Sequence, residues 1–434
     1  MSANKYPRYQ SYKDSGAEWL GVVPASWNVE RLKTVAALAT SKAESADFPV
    51  ALENIESWTG KFIPTESEFQ ADGIAFRLGD VLFGKLRPYL AKAWLADRAG
   101  EAVGDIFTLR PGKKMLGQYL RNVLVTPEII NMLDGSTFGS KMPRVGWDFM
   151  STLRLPVPSI DEQHAIAKFL DRETAKVDNL IAKQERMIEL LTEKRQAVVT
   201  QAVTKGLDPS VPMKDSGVEW LGQVPCEWTV MPLGVTASFS EGLFTDGDWI
   251  ESKDLSSDGI RYLTSGNVGE GIYKEQGLGF ISEDKFNELG CTEVFTGDIL
   301  ISRLNMPVGR ACIIPDLGGR VVTCVDNVIF RPSPSFNRQF IVYMLSSAKH
   351  AFNMGNLARG ATMPRISRSI LSKVRFAFPP KHEQDSIVEF LNRETNNIDI
   401  LIAKSKHAIE LQKEHRASLI SAAVTGKIDV RGLA

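Results

Sequence analysis

The sequence predicts an α+β protein in which two mixed α/β modules are separated by two long antiparallel α-helices (a coiled-coil spacer), as a pseudo-twofold internal repeat. Three observations support this prediction. The chain has 434 residues, of which 43% are hydrophobic and 24% charged, as in ordinary globular proteins of several domains. Two blocks of sequence each occur twice, in the same order. The second block has the apolar spacing of a helix and contains neither proline nor glycine.

The first repeated block is a tryptophan motif, W-L-G-x-V-P-x-x-W. Residues 13–32 and 214–233 agree at thirteen of twenty positions. Beyond this block the second copy is 20 residues longer, and identity nearly disappears. The surviving identities are Gly79-Asp80 with Gly297-Asp298, Asp105 with Asp326, Arg110-Pro111 with Arg331-Pro332, and Met142-Pro143-Arg144 with Met363-Pro364-Arg365. One frame used twice around two different interiors indicates two modules that do the same job on different targets.

The second repeated block is predicted to form one long helix in each copy. Residues 162–204 and 383–425 agree at 21 of 43 positions. The helices are expected over Asp161–Lys205 and Glu383–Lys427, each about 68 Å long, ending at Gly206 and Gly426. Such a long helix needs a partner, and its own copy is the obvious one, which would place the modules at opposite ends of a rod. A dimerisation coiled coil, or packing inside one compact domain, are the alternatives.

These helices define four predicted segments. They are a first module over 1–158, a first helix over 159–206, a second module over 207–379, and a second helix with a C-terminal tail over 380–434.

Charge is segregated within each module although the whole chain has a net charge of only −1. Residues 35–76 and 236–298 carry net charges of −5 and −9, whereas residues 77–157 and 299–375 carry +5 and +9. Basic stretches of this kind suit contacts with DNA phosphates and guanine. The alternative is internal neutralisation, in which the acidic half of each module pairs with its basic half.

Two loops in each module concentrate cations beside small or ring-bearing residues. Because small residues allow the backbone to approach a phosphate while the flanking cations neutralise it, both loops are candidate DNA contacts. The candidate DNA-binding residues are Lys85, Arg87, Tyr89, Lys92, Lys141, Arg144, Arg303, Arg310, Arg359, Arg365 and Arg368.

Other classes of protein are disfavoured by missing motifs. The four cysteines form no C-x-x-C pair and the five histidines have no metal-ligand spacing, so no metal site is expected and a reducing cytoplasm is the expected location. No stretch has the length of a membrane span, and Met1–Gln10 does not resemble a secretory signal. No P-loop, dinucleotide-binding loop or methyltransferase tetrapeptide is present, so the chain is expected to have no active site of its own.

Two variable modules, each followed by a helix that opens E-Q-x-x-I-x-x-F-L (Glu162–Leu170 and Glu383–Leu391), make the chain resemble the specificity subunit of type I restriction–modification systems. The doubled tryptophan motif (Trp19–Trp27 and Trp220–Trp228) carries the same resemblance. It implies that the modules are target recognition domains, each reading half of a bipartite DNA site, with the helices setting the spacing. It also implies two modification subunits with S-adenosylmethionine and an adenine-methylating site, and two restriction subunits with ATP and Mg²⁺. No cofactor is expected on this chain.

Two rival functions remain. One is the specificity chain of a related single-polypeptide or two-subunit restriction system, which the architecture of its partner would reveal. A coiled-coil scaffold that binds only proteins belongs to a different class and would lack salt-dependent affinity for DNA.

Overall fold

The computed structural model describes residues 6–43, 48–65, 73–277 and 279–433. The chain divides into two compact units: unit 1 comprises residues 1–185 and 406–434, and unit 2 comprises residues 186–405. The two long helices run over Ile160–Lys205 and Lys381–Val424, so each helix contributes one part to each unit. This division differs from the four predicted segments, whose boundaries stay a prediction.

The described residues of unit 1 form two sheets and two ribbons. The main sheet is antiparallel, with strands in the order Ala36–Leu38, Ile106–Pro111, Val81–Gly84 and Ala93–Leu95. In the second sheet Gly100–Ala102 pairs in parallel with Pro49–Val50 and antiparallel with Ile74–Phe76. The ribbons pair Tyr12–Asp14 with Val22–Pro24, and Asn28–Arg31 with Arg154–Val157. The short helices are Leu32–Val35, Gly117–Leu124, Pro127–Gly135 and Trp147–Met150, with 3₁₀ turns at Leu52–Asn54 and Pro88–Leu90.

Unit 2 repeats this architecture. Its main sheet has the order Leu243–Asp246, Asn327–Arg331, Ile299–Ser302 and Ala311–Ile313. In the second sheet Ile260–Leu263 pairs antiparallel with Phe280–Ile281 and in parallel with Val321–Thr323. The ribbons pair Met213–Asp215 with Gln223–Pro225, and Thr229–Pro232 with Arg375–Phe378. The short helices are Glu283–Leu289, Arg338–Leu345, Ala348–Leu357 and Arg368–Lys373, with 3₁₀ turns at Leu233–Ala237, Ser252–Asp254 and Ser265–Asn267. The matching main sheets and ribbons confirm the predicted mixed α/β repeat. The second sheets differ, because the third strand pairs with Gly100–Ala102 in unit 1, whereas in unit 2 it pairs with Ile260–Leu263 and not with Val321–Thr323, the equivalent of Gly100–Ala102.

The repeated sequence blocks form the junction between each module and its helices. The second tryptophan of each motif, Trp27 or Trp228, is buried in the main core of its unit. The glutamine of each E-Q opening fixes the start of its helix by a hydrogen bond. The Gln163 side chain accepts a hydrogen bond from the Leu116 amide at 2.8 Å, and the Gln384 side chain accepts one from the Asn337 amide at 2.8 Å. Both blocks are therefore explained by packing and hydrogen bonding within a unit.

The long helices confirm the predicted lengths, with a correction at the second C-terminus. The second helix ends at Val424 instead of Lys427, because Gly426 adopts the left-handed conformation (φ 73°) and the Lys427 amide bonds back to the Ala422 carbonyl at 2.9 Å. The first helix ends at Lys205 as predicted, followed by Gly206 at φ 77°. It begins at Ile160 and the second begins at Lys381, one and two residues before their predicted starts.

Each unit contains one copy of an ion pair between the two long helices. In unit 1 the Arg416 Nε lies 2.9 Å from Asp178, and in unit 2 the Arg195 Nε lies 3.0 Å from Asp399. These residues occupy equivalent positions of the repeat. In unit 2 the Ser405 hydroxyl also donates to the Met187 sulfur at 3.9 Å, so the partner falls from 405 to 399 as the first helix rises from 187 to 195, and the segments pair antiparallel there. The polar residues at 195 and 416 belong to the seam.

The C-terminal tail is part of the core of unit 1. The Asp429 amide donates to the Pro7 carbonyl at 2.8 Å, and the Tyr119 hydroxyl donates to the Val424 carbonyl at 3.0 Å. Ile428 and Val430 are fully buried in the same cluster as Trp27. The first and last described stretches of the chain thus complete one core together.

Candidate nucleic-acid interface

In unit 1 two loops meet beside the main sheet. The loop 84–92 follows the strand Val81–Gly84, and the loop 137–146 follows a short helix. Leu86 forms a β-bridge with Arg144, and the Arg87 amide donates to the Pro143 carbonyl at 2.8 Å. The Val145 amide donates to the Lys85 carbonyl at 3.0 Å. We call this arrangement the two-loop platform.

Unit 2 builds the same platform from the loops 302–310 and 358–367. Leu304 forms a β-bridge with Arg365, the Asn305 amide donates to the Pro364 carbonyl at 2.9 Å, and the Ile366 amide donates to the Arg303 carbonyl at 3.1 Å. These contacts are position-for-position equivalents of those in unit 1. Two diverged interiors therefore keep one backbone arrangement at this place.

An aspartate–arginine ion pair fastens each platform to the main sheet. The Arg144 guanidinium contacts both carboxylate oxygens of Asp105, at 2.8 and 3.0 Å, and this hydrogen bonding lowers the pKa of Asp105. In unit 2 Arg365 lies 2.6 Å from Asp326. Arg144 and Arg365 thus have a structural role in addition to any contact with DNA.

Pairing between aspartate and arginine also explains the second pair of charged residues that both interiors retain. Asp80 pairs with Arg110 at 2.7 Å, and Asp298 pairs with Arg331 at 2.8 Å. Both aspartates are buried. An unpaired buried carboxylate is costly, so each arginine accompanies its aspartate in both copies. Comparison of the two repeats located the eight residues of these four aspartate–arginine pairs, but it did not indicate that they pair.

Three predicted cations are exposed, and their side chains have no partner among the described residues. They are Arg87, Lys141 and Arg359, and all three lie on the platform loops. Tyr89 stands beside Arg87 on the turn Pro88–Leu90 with its ring half exposed. These four side chains are the ones most available to a ligand.

The other predicted cations engage groups of their own unit. Lys85 lies 3.7 Å from Asp105 and 5.6 Å from the centre of the Phe107 ring. The Lys92 ammonium donates to the Leu52 carbonyl at 2.6 Å, and burial lowers its pKa. Arg368 is half exposed and contacts Asp246 at 3.2 Å.

Arg303 and Arg310 lie deepest. Arg303 is buried, with its Nε 3.0 Å from Asp246 and its Nη1 donating to the Ile366 carbonyl at 3.2 Å. Arg310 donates to five backbone carbonyls at 2.7–3.2 Å, which belong to Ser265, Val268, Leu304, Asn305 and Pro307. Burial lowers the pKa of both guanidinium groups. These two arginines support the platform of unit 2 from within.

Part of the charge segregation is therefore internal neutralisation, the alternative considered from the sequence. Arg303 and Arg368 both pair with Asp246, and Arg320 pairs with Glu283 and Glu293. The exposed cations Arg87, Lys141 and Arg359 of the platforms are the ones that take no part in this pairing among the described residues.

Several exposed apolar side chains at the platforms were not singled out from the sequence. Phe138 and Met142 in unit 1, and Met306 and Met363 in unit 2, expose between 48% and 63% of their surface. Met142 and Met363 occupy equivalent positions, and that match is the sequence signal that could have indicated them.

Two further properties bear on the class of site. Within the described ranges, no group of three or more His, Cys, Asp or Glu side chains could hold a metal ion. None of the helices in those ranges is long and apolar enough to cross a membrane.

Comparison with known proteins identifies the family of the chain. The family model of the type I restriction modification DNA specificity domain matches residues 103–190 and 227–411. The chain therefore belongs to the family of type I restriction–modification DNA specificity subunits.

Individual relatives carry the same description. The type I restriction enzyme MjaVIII specificity subunit of Methanocaldococcus jannaschii is 27% identical over 70% of this chain and 68% of its own length. The putative MjaX specificity subunit of the same organism is 24% identical, covering 95% of this chain and 96% of its own.

Solved structures share the fold. A chain from a study of assembly and conformational transition of the type I R-M system superposes with a TM-score of 0.72 at 19% identity, covering 93% of this chain and 98% of its own. The HsdS subunit from Thermoanaerobacter tengcongensis gives a TM-score of 0.51 at 18% identity, covering 94% and 98%.

Proposed function

We propose that unit 1 and unit 2 each read one half of a bipartite DNA site, and that the long helices set the spacing between the halves. The observation that carries this proposal is the platform itself. The same hydrogen bonds and ion pair form it in both units, whereas the exposed Arg87 and Lys141 of unit 1 are replaced by Asn305 and Thr362 in unit 2. A constant scaffold that presents different side chains is what two recognition domains for different sequences require.

The proposed DNA contacts follow from exposure. Arg87, Tyr89, Lys141 and Arg359 are exposed without partners among the described residues, while Arg144, Arg365 and Arg368 are paired but one-third to one-half exposed. Lys85 is less exposed and lies beside Asp105. Lys92, Arg303 and Arg310 act indirectly, by holding the loops in place.

The chain is proposed to have no catalytic activity and to act by recruiting partners. Two modification subunits would bring S-adenosylmethionine and adenine methylation, and two restriction subunits would bring ATP, Mg²⁺ and cleavage. Exposed leucines support docking on the helices: Leu180 and Leu190 expose nearly half their surface, as do their equivalents Leu401 and Leu411. Repeated exposed apolar residues are typical of interaction sites.

The test is an exchange of one interior. Residues 35–157 are replaced by the corresponding interior of another family member, and the methylated sequence is read by genome-wide methylation sequencing of a host that also expresses the modification subunits. We expect one half of the methylated motif to change and the other half to stay. A change in both halves, or methylation at an unrelated sequence, would contradict the two-module proposal.

A coiled-coil scaffold that binds only proteins gives a different result in a simpler assay. The chain with its modification subunits should shift DNA in a gel, and the shift should weaken as salt is raised, because phosphate contacts release counterions. A scaffold for proteins alone gives no salt-dependent shift.

A further inference from the structure

The tip of each platform holds a residue in an unusual backbone conformation. Arg87 has φ 50° and its equivalent Asn305 has φ 60°, both in the left-handed region. Asparagine accepts this region readily, whereas arginine rarely adopts it. The side chains of both residues are exposed, and neither has a partner among the described residues.

The surroundings hold this conformation in the same way in both units. The tip amide is bound by a proline carbonyl of the opposite loop, at 2.8 Å in unit 1 and 2.9 Å in unit 2. The residue before the tip, Leu86 or Leu304, is bridged to the arginine of the fastening ion pair. The tip side chain is therefore displayed from a rigid base, and in unit 1 it is displayed against the preference of its own residue type. Strained positions of this kind cluster at functional sites.

The two tips differ in chemistry, although the cations that support them from within the platform do not. Lys85 corresponds to Arg303, Lys92 to Arg310, and Arg144 to Arg365. The exposed Lys141 and Arg359 correspond to Thr362 and Phe138, so they differ between the units as the tips do. At the tip a cation in unit 1 is replaced by a neutral amide in unit 2. Asparagine can hydrogen-bond a phosphate but cannot neutralise it, so charge neutralisation is not a function that both tips share.

Arginine and asparagine share another property. Arginine forms two hydrogen bonds with the O6 and N7 atoms of guanine, and asparagine forms two with the N6 and N7 atoms of adenine. We infer that Arg87 and Asn305 are specificity-determining residues, which read one guanine and one adenine respectively in the major groove of the two half-sites. This inference rests on the proposed function and names the side chains that carry it out.

The experiment uses the full chain with its modification subunits and exploits the left-handed backbone. Arg87→Gly and Arg87→Asn both suit φ 50°, so both variants should fold at least as well as the wild type. Asn305→Gly tests the other tip. Lys141→Asn is the matched control, because it removes an exposed cation from the neighbouring loop without touching the tip. Thermal unfolding checks each fold.

Methylation sequencing and binding to duplexes that carry the wild-type motif, or one altered base pair, provide the readouts. We expect Arg87→Gly to lose discrimination at a single G·C pair of one half-site, by about 5- to 150-fold. Arg87→Asn should shift preference at that pair towards A·T, and Asn305→Gly should lose discrimination at one A·T pair of the other half-site. Lys141→Asn should weaken all duplexes alike.

Three results would overturn the inference. They are an equal loss on every duplex with a flatter salt dependence for Arg87→Gly, no change in any tip variant, or changes at more than one base pair. All three presuppose a wild-type bipartite motif. If the wild type itself shows no such motif, the proposed function has failed and not only the assignment of the tips.

Discussion

Lys141 and Arg144 lie three residues apart on one loop, yet among the residues that the structure describes only Arg144 has a carboxylate partner, Asp105. We expect Lys141→Ala to lower DNA affinity on all sequences and to flatten the slope of log K against log salt by about 0.9, the value for one phosphate contact. Arg144→Ala should flatten the slope similarly, and in addition lower the midpoint of thermal unfolding, because Asp105 loses the ion pair that fastens the loop. Gel-shift titrations over a salt series and thermal unfolding check both expectations.

Arg359→Ala and Arg365→Ala provide the same comparison in unit 2, where Arg359 has no partner among the described residues and Arg365 pairs with Asp326. If none of the four variants changed the salt slope, the basic stretches would serve only to neutralise the acidic halves.

At the scale of the long helices, the two copies of the interhelical ion pair differ in exposure. Arg416 and Asp178 expose 10% and 19% of their side chains, whereas Arg195 and Asp399 expose 27% and 54%. Asp178→Asn leaves a nearly buried guanidinium with a neutral partner, and we expect it to lower the free energy of unfolding by about 2–4 kcal/mol. Asp399→Asn is the matched control and should cost at most about 1 kcal/mol. Chemical denaturation measures both, and equal costs would show that burial of the pair is irrelevant.

The helices also allow a test of the proposed spacing. A seven-residue insertion in each helix, after residue 185 and after residue 405, falls at the boundary between the units and leaves the pairing inside each unit intact. It lengthens each helix by about 10.5 Å and turns it by only about 20° from whole turns. We expect the same two half-sites with about three more base pairs between them, at about 3.4 Å per base pair.

Methylation sequencing reads the spacer length. An insertion in only one of the two helices is the control, because it shifts the residues of that helix relative to their partners on the other helix. An unchanged spacer in a soluble, partner-bound double-insertion protein would reduce the helices to a docking platform.

At the scale of the whole molecule, the sequence predicted what periodicity and repetition encode. The long helices and the doubled modules follow from patterns that Leu170, Trp27 and their equivalents carry locally. The pairing of Asp105 with Arg144 was not predictable in this way, because the two residues lie 39 positions apart and meet only through the sheet. The left-handed Arg87 was also unpredictable, since its own preference opposes it and its neighbours impose it. The sequence therefore indicated the candidate cations as a set. It did not show which of them are exposed and which are paired within their unit.

Because Ile428 and Val430 lie in the same core as Trp27, the core of unit 1 cannot be completed until residues 428–430 have been translated. Unit 2 is one continuous segment that ends at residue 405, whereas unit 1 waits about 250 residues for its last pieces. At roughly 5–20 residues per second this delay is about 12–50 s. Nascent chains arrested near the C-terminus should therefore contain a protease-resistant unit 2 and a sensitive unit 1. Equal resistance of both units before residues 425–433 emerge would show that the tail is dispensable for folding.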